Sequence, residues 1–329
     1  MSFLTNGSNT TNTTSDFKRY SFIPSFYSFR EGSLLFISIV GTAMNLWFLA
    51  AILSSPVLRS RLRNKILCNS FLLHVVNCAI ILPINFGISF SRKDVGCALI
   101  SMFNNVDLMQ DFVDNWLLVI IIVIFIAQIQ DFDLRSRFSD RTIKVGTVAL
   151  LVVPWLSSLV VVPVIIKEHL SDSIKDCLVS TLDALEVLRA VDTALPIILA
   201  ILLVIAAAVM KHCGFTLRNS PVSTQSELLN RGPEIDNTRA YVVAVTIATL
   251  CDLLRLIRHL KIYNFSQHGI KTLLYAIVIS GILVDLRSIL TPIAWLLLPD
   301  IRERIRTWRP WHRPAPGIDV TMTYKKERN

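Results

Sequence analysis

Residues 115–130 read Asn115-Trp-Leu-Leu-Val-Ile-Ile-Ile-Val-Ile-Phe-Ile-Ala-Gln-Ile-Gln130, sixteen positions without a charge. Immediately before them stand Asp107, Asp111 and Asp114, spaced four and three apart, so that they share one face of a helix. An apolar helix of this kind belongs in lipid, where about 20 such residues cross the hydrocarbon core. The acids on its upper half then need a polar interior, because a charge facing lipid costs about 2.5 kcal/mol or more. The span therefore begins earlier, near Ala98, with its acidic face turned toward other helices.

The same pattern repeats along the chain. Of 329 residues 53% are hydrophobic and 17% charged, and the charges collect in short clusters between long apolar runs. This excludes a collagenous or disordered chain and argues against a cytosolic enzyme. Long apolar runs mark span 1 at Ser33–Leu53, span 2 from Ile66 to about Phe90, span 4 at Val145–Ile166 and span 5 at about Val187–Met210. Two further spans carry interior charge: Ala240–Ile262 with Asp252, Arg255 and Arg258, and Thr272–Leu298 with Asp285 and Arg287. The expected fold is an all-α membrane protein, a seven-transmembrane helix bundle whose spans 3, 6 and 7 line one polar interior.

Net charge is +9, which in a membrane protein is a question of loop placement rather than of nucleic acid. With the amino terminus outside, 20 of the 33 Lys and Arg fall in inner loops and the tail and 9 fall outside. The bias predicts a multi-pass protein with an extracellular amino terminus. Four glycosylation sequons, at Asn6, Asn9, Asn12 and Asn264, fall on the same predicted outer side. Met1–Asp16 has no apolar core, so span 1 is expected to serve as the targeting signal. Cys97, before span 3, and Cys177, between spans 4 and 5, would face an oxidising exterior, and a disulfide is expected between them. After span 7, Ile301, Ile305 and Trp308 stand at i, i+4 and i+7 among four arginines, which predicts an amphipathic membrane-surface helix stopped by Pro310. The expected organisation is thus an extracellular glycosylated segment 1–32, a bundle 33–298, a surface helix 299–310 and a cytoplasmic tail 311–329.

Seven spans, basic inner loops and an outer cysteine pair resemble the rhodopsin-like G-protein-coupled receptors over nearly the whole chain. Span 1 carries Asn45 in Gly41-Thr-Ala-Met-Asn45; span 4 carries Trp155 with Ser158 and Pro163; span 5 carries Pro196; span 7 ends Thr291-Pro292-Ile-Ala-Trp295, a variant of the family's N-P-x-x-Y. The departures are equally specific. His74 stands where the family holds its sodium-binding Asp, five residues after Asn69. The D-R-Y motif reads Asp131-Phe132-Asp133, with the nearest arginine at Arg135, and the span-6 C-W-x-P keeps Cys251 but has Asp252 and Leu254. The chain is similar to divergent receptors of the orphan or chemosensory kind. The resemblance implies an extracellular polar ligand (an amine, amino acid or peptide), a heterotrimeric G protein as inner partner, a plasma-membrane location and no cofactor.

In that family Asp114, counted back from Asp131, matches the ammonium-binding aspartate of amine receptors. The residues themselves leave a second reading open, in which Asp107, Asp111 and Asp114 pair with Arg255, Arg258 or Arg189. Asp252, Arg255 and His259 form a stripe on span 6 and Asp285 lies on span 7, and these mark the expected floor of a ligand pocket. Other functions weigh less. Asp252 and Asp285 sit on neighbouring spans as in intramembrane aspartyl proteases, but in the contexts Thr-Leu-Cys-Asp252 and Ile-Leu-Val-Asp285, without the Y-D and G-x-G-D settings. No H-E-x-x-H, Gly-rich phosphate loop or Cys/His metal spacing occurs, so neither enzyme nor metal is expected. Buried ionisable residues would also suit a transporter, although the two halves show no internal repeat. A receptor-like protein that does not couple to G proteins is the remaining alternative, raised by the lost D-R-Y arginine.

Overall fold

The computed structural model describes residues 23–91, 97–130, 137–159, 183–213, 237–259 and 270–308, and these are almost entirely helical. In chain order the helices are α1 (Ile23–Leu53), α2 (Pro56–Ser60), α3 (Leu62–Val76), α4 (Leu82–Ser91), α5 (Cys97–Ile129), α6 (Asp140–Ser158), α7 (Asp183–His212), α8 (Thr238–His259), α9 (Ile270–Trp295) and α10 (Pro299–Thr307). A π-helical turn, Asn77–Ile81, joins α3 to α4 without breaking the rod.

Six helical segments are long and apolar enough to cross a membrane: Ser28–Leu53, Leu62–Gly87, Met109–Ile129, Val187–His212, Thr238–Arg258 and Tyr275–Trp295. The fourth expected span is not among them. Helix α6 opens with Asp140, Arg141 and Lys144, and its apolar part begins only at Val145. From Val145 the described chain runs to Leu159, about 22 Å at 1.5 Å per residue, short of a core about 30 Å thick. The remainder of that span, to Ile166, lies outside the described residues. So do the four sequons, Cys177, Asp131 and Arg135, and the side chains of Cys97, Asp107 and His259.

Helix α7 demonstrates the lipid-facing character. Val191, Leu195, Ile198, Leu202, Ile205 and Val209 recur every three or four residues, and all are exposed. The opposite face carries Thr193, Ile197, Ala200, Val204 and Ala207, which are buried. The outward face is thus wholly large aliphatic, while the inward face mixes Ile197 and Val204 with the small Thr193, Ala200 and Ala207, which let neighbouring helices approach closely in lipid. Helices α1, α3, α5, α7, α8 and α9 close into a ring, each packed on the next, with α9 returning to α1 and α6 lying against α3 and α5.

Polar side chains stitch the ring where aliphatic packing would leave backbone groups idle. Asn45 donates from Nδ2 to the carbonyls of Gly41 and of Ser288, both at 2.8 Å, and so ties α1 to α9. Trp155 Nε1 donates to Asn69 Oδ1 at 3.2 Å, and Asn69 Nδ2 donates to the Leu151 carbonyl at 2.9 Å, which fixes α6 on α3. At the π turn the Ser38 hydroxyl donates to the Cys78 carbonyl at 2.7 Å. Gly41 faces the same turn so closely that a Cβ there would meet Cys78 Sγ at 2.5 Å. Pro196 and Pro292 stand inside α7 and α9, where each removes a backbone donor.

Helix α10 begins with Pro299 at its first turn, a position that needs no backbone donor. Its apolar face is turned inward: Ile301 is fully buried, Ile305 packs on the main core cluster, and Trp308 meets Trp47 of α1 edge-on at 4.8 Å. Asp300 accepts from Arg61 Nη1 at 2.5 Å and from Arg63, and Arg304 donates to Ser54 Oγ at 2.9 Å. The helix Pro299–Thr307 is therefore docked on the bundle through both its apolar and its charged side chains, and its site defines the tail end of the molecule.

Candidate functional site in the helix bundle

Halfway along the bundle, charges from three helices meet out of water. Arg287 of α9 is 5% exposed. Its Nη2 lies 2.7 Å from Asp114 Oδ2 of α5, and its Nη1 donates to Asp252 Oδ2 of α8 at 2.9 Å and to Asn115 Oδ1 at 2.5 Å. One planar guanidinium thus serves two carboxylates and an amide, a task that suits its fixed fork of donors. Asp114 Oδ1 accepts from Ser70 Oγ at 2.9 Å, and His74 Nε2 stands 3.4 Å away without hydrogen-bond geometry.

The sequence places these groups through simple periodicities. Ser70 and His74 are four apart on α3, Asp111 and Asp114 three apart on α5, and Asp252 and Arg255 three apart on α8, so each pair shares one face. One turn farther from the tail end than Asp114, Asp111 forms an ion pair with Arg255. The result is two layers: Asp111 with Arg255, then Asp114, Asp252, Asn115, Ser70 and His74 around Arg287. Desolvating such ions costs several kcal/mol each, and only mutual pairing with full hydrogen bonding offsets it.

Below the Arg287 layer, toward the tail end, a small cavity of about 10 Å³, room for about one water, is lined by Ser70, Asp114, Leu118, Arg287, Thr291 and Trp295 among others. Beneath it three fully buried aromatics close the bundle. Phe125 of α5 stacks on Tyr241 of α8 at 4.0 Å between ring centres, and Tyr241 meets Trp295 of α9 edge-on at 5.7 Å. Helices α5, α8 and α9 are thus joined twice, ionically at mid-bundle and by rings near the tail.

No protein-family model matches the chain, and no curated protein matches it. The site is therefore defined by its own geometry.

Among the residues marked in the sequence, Asp111, Asp114, Asp252 and Arg255 come together, and Asp285 stands half-buried on α9 two residues before Arg287. The cation facing Asp114 is the chain's own Arg287, so the carboxylate that the receptor resemblance would assign to a ligand ammonium is already engaged. Arg287 was marked only as an interior charge of span 7 and not as a member of the site. Two further members carried no mark: Asn115, and Asp192 of α7, which is 7% exposed and lies within electrostatic reach of Asp111, Arg255 and Asp252. The available signal was the one that marked the others, a lone charge inside a run meant for lipid. Among the described residues no group of His, Cys, Asp or Glu is arranged to hold a metal ion.

Proposed function

We propose that the chain is a seven-helix receptor of the plasma membrane, with α6 the first part of its fourth span and its amino terminus outside, that binds an extracellular polar ligand and signals to a heterotrimeric G protein. One observation carries this reading: Arg287 holds Asp114 of α5 and Asp252 of α8 together in the middle of the bundle. A buried arginine shared between two acids on different helices is a contact that a polar ligand can rearrange by offering either partner a new one. To signal, the ligand must bind the two arrangements differently. Helix α8 carries both Asp252 at the ionic layer and Tyr241 in the aromatic stack, so a displacement at one is transmitted along a rigid rod to the other. Parting of the Phe125–Tyr241–Trp295 stack would open the tail ends of α7 and α8 toward a G protein. Asn45, Trp155, Pro196, Thr291, Pro292 and Trp295, which carry the family resemblance, lie at helix contacts or inside helices of this same framework.

The test is a G-protein dissociation assay in cells, with wild type, Arg135→Ala and empty vector compared at verified surface expression while amines, amino acids and short peptides are screened. Basal or evoked dissociation that Arg135→Ala reduces supports the reading. Silence across all G-protein classes in well-expressed protein favours a receptor-like protein that does not couple. A transporter is the second reading, favoured by the chain of ionisable groups His74, Asp114, Arg287 and Asp252 across the bundle. Proton-coupled uptake of an amino acid or amine into vesicles holding the purified chain would decide for it.

A further inference from the structure

We propose that Asp192 is the anchoring carboxylate for a small organic ammonium held between α5, α7 and α8; this deepens the receptor reading, on which it rests. Both oxygens of Asp192 are buried without a hydrogen-bond partner, and the side chain is 7% exposed. Its neighbour Thr193, 1% exposed, also has a hydroxyl without a partner. Three cations of the bundle have hydrogen-bond or ion-pair partners other than Asp192. Arg255 pairs with Asp111, Arg287 with Asp114 and Asp252, and Arg258 donates to Ser280 of α9 at 3.2 Å. Four carboxylates, Asp111, Asp114, Asp192 and Asp252, thus face two guanidiniums, and the surplus is centred on the one acid with no bond of its own.

A buried carboxylate without a donor or a cation is unfavourable as the anion, so it either takes up a proton or takes a cationic partner. An anion would meet three carboxylates, Asp192, Asp111 and Asp252, against the single guanidinium of Arg255. A neutral alcohol supplies one donor and no charge. A primary ammonium supplies three donors and one positive charge, enough to satisfy both oxygens of Asp192. The burial of the site sets the ligand as a small molecule whose charged end is its leading end. Its arrival also weakens the hold of Asp111 on Arg255 by adding a competing cation, which links the site to the ionic layer beneath.

The experiment measures melting of the purified full chain with methylammonium, butylammonium, phenethylammonium and 1,4-diaminobutane, each beside its matched alcohol, for wild type, Asp192→Asn and Asp111→Asn. Without amine, Asp192→Asn is expected to melt at or above wild type, because its carboxylate has no bond to lose, whereas Asp111→Asn melts lower because Arg255 loses its partner. At least one amine, and none of the alcohols, should raise the wild-type melting temperature with concentration. Its apparent affinity should fall about tenfold or more in Asp192→Asn, the loss of one charge-assisted contact. Absence of any amine effect on wild type, an equal effect on Asp192→Asn, or an Asp192→Asn protein that melts well below wild type each overturns the proposal. Amine binding with no G-protein response in cells would overturn the receptor reading and leave the site standing. A G-protein response to another ligand with no amine binding would overturn the site alone.

Discussion

Replacing Arg287 by Met removes the cation on which the middle of the bundle depends while keeping the length and flexibility of the side chain. Asp114 then keeps only Ser70 and the neighbouring His74, and Asp252 loses the one bond given to it here. Breaking a buried ion pair from one side costs about 3–5 kcal/mol, because the partner stays behind without compensation. The two abandoned acids place Arg287→Met at the upper part of that range. At about 2 °C per kcal/mol for a chain of this size, the melting temperature of the solubilised protein should drop roughly 8–10 °C. Arg287→Lys should fall between, since an ammonium is a point charge and cannot present two fixed nitrogens to Asp114 and Asp252. The triple variant Arg287→Met, Asp114→Asn, Asp252→Asn should regain most of the loss, because no uncompensated charge remains. The reasoning is refuted if Arg287→Met melts within about 1 °C of wild type, or if the triple variant is no more stable than the single one.

Three other outcomes are expected. Gly41→Ala should destabilise by about 1–3 kcal/mol through the clash with Cys78 Sγ, and adding Cys78→Ala should recover most of it in the same thermal assay. Asp300→Ala removes the carboxylate that meets Arg63 Nη2, on a side chain 1% exposed, and should cost about 1–3 kcal/mol while exposing α10 to limited proteolysis; an unchanged cleavage rate would mean that Ile301 and Trp308 suffice to dock it. Cys97→Ala and Cys177→Ala should impair surface expression about equally, with the double variant no worse than either single one, and clear additivity would argue against a bridge.

Much of the architecture could be read from single spans. Asn115–Gln130, Val187–Met210 and their counterparts announce lipid-crossing helices because that demand is local: each helix must satisfy its own backbone in hydrocarbon. The fourth expected span, Val145–Ile166, is described only as far as Leu159, after a start of α6 that carries Asp140, Arg141 and Lys144. The amphipathic face of α10 was equally legible, but its burial against Trp47 and the core was not, because a face made for a membrane surface and one made for a helix bundle have the same spacing.

The charged interior divides in the same way. Composition and spacing alone determined that Asp111, Asp114, Asp252 and Arg255 had to face inward, since lipid penalises each of them. Which acid met which base was decided only by the tertiary structure. One residue along a helix moves a side chain by 1.5 Å and turns it by about 100°, so pairing depends on the depth and rotation of each helix against its neighbours. Those are set by contacts remote in sequence, such as Asn45 to Ser288 and Asn69 to Trp155. They bring Arg287 between Asp114 and Asp252, give Arg255 to Asp111, and leave Asp192 buried beside them with both oxygens unbonded.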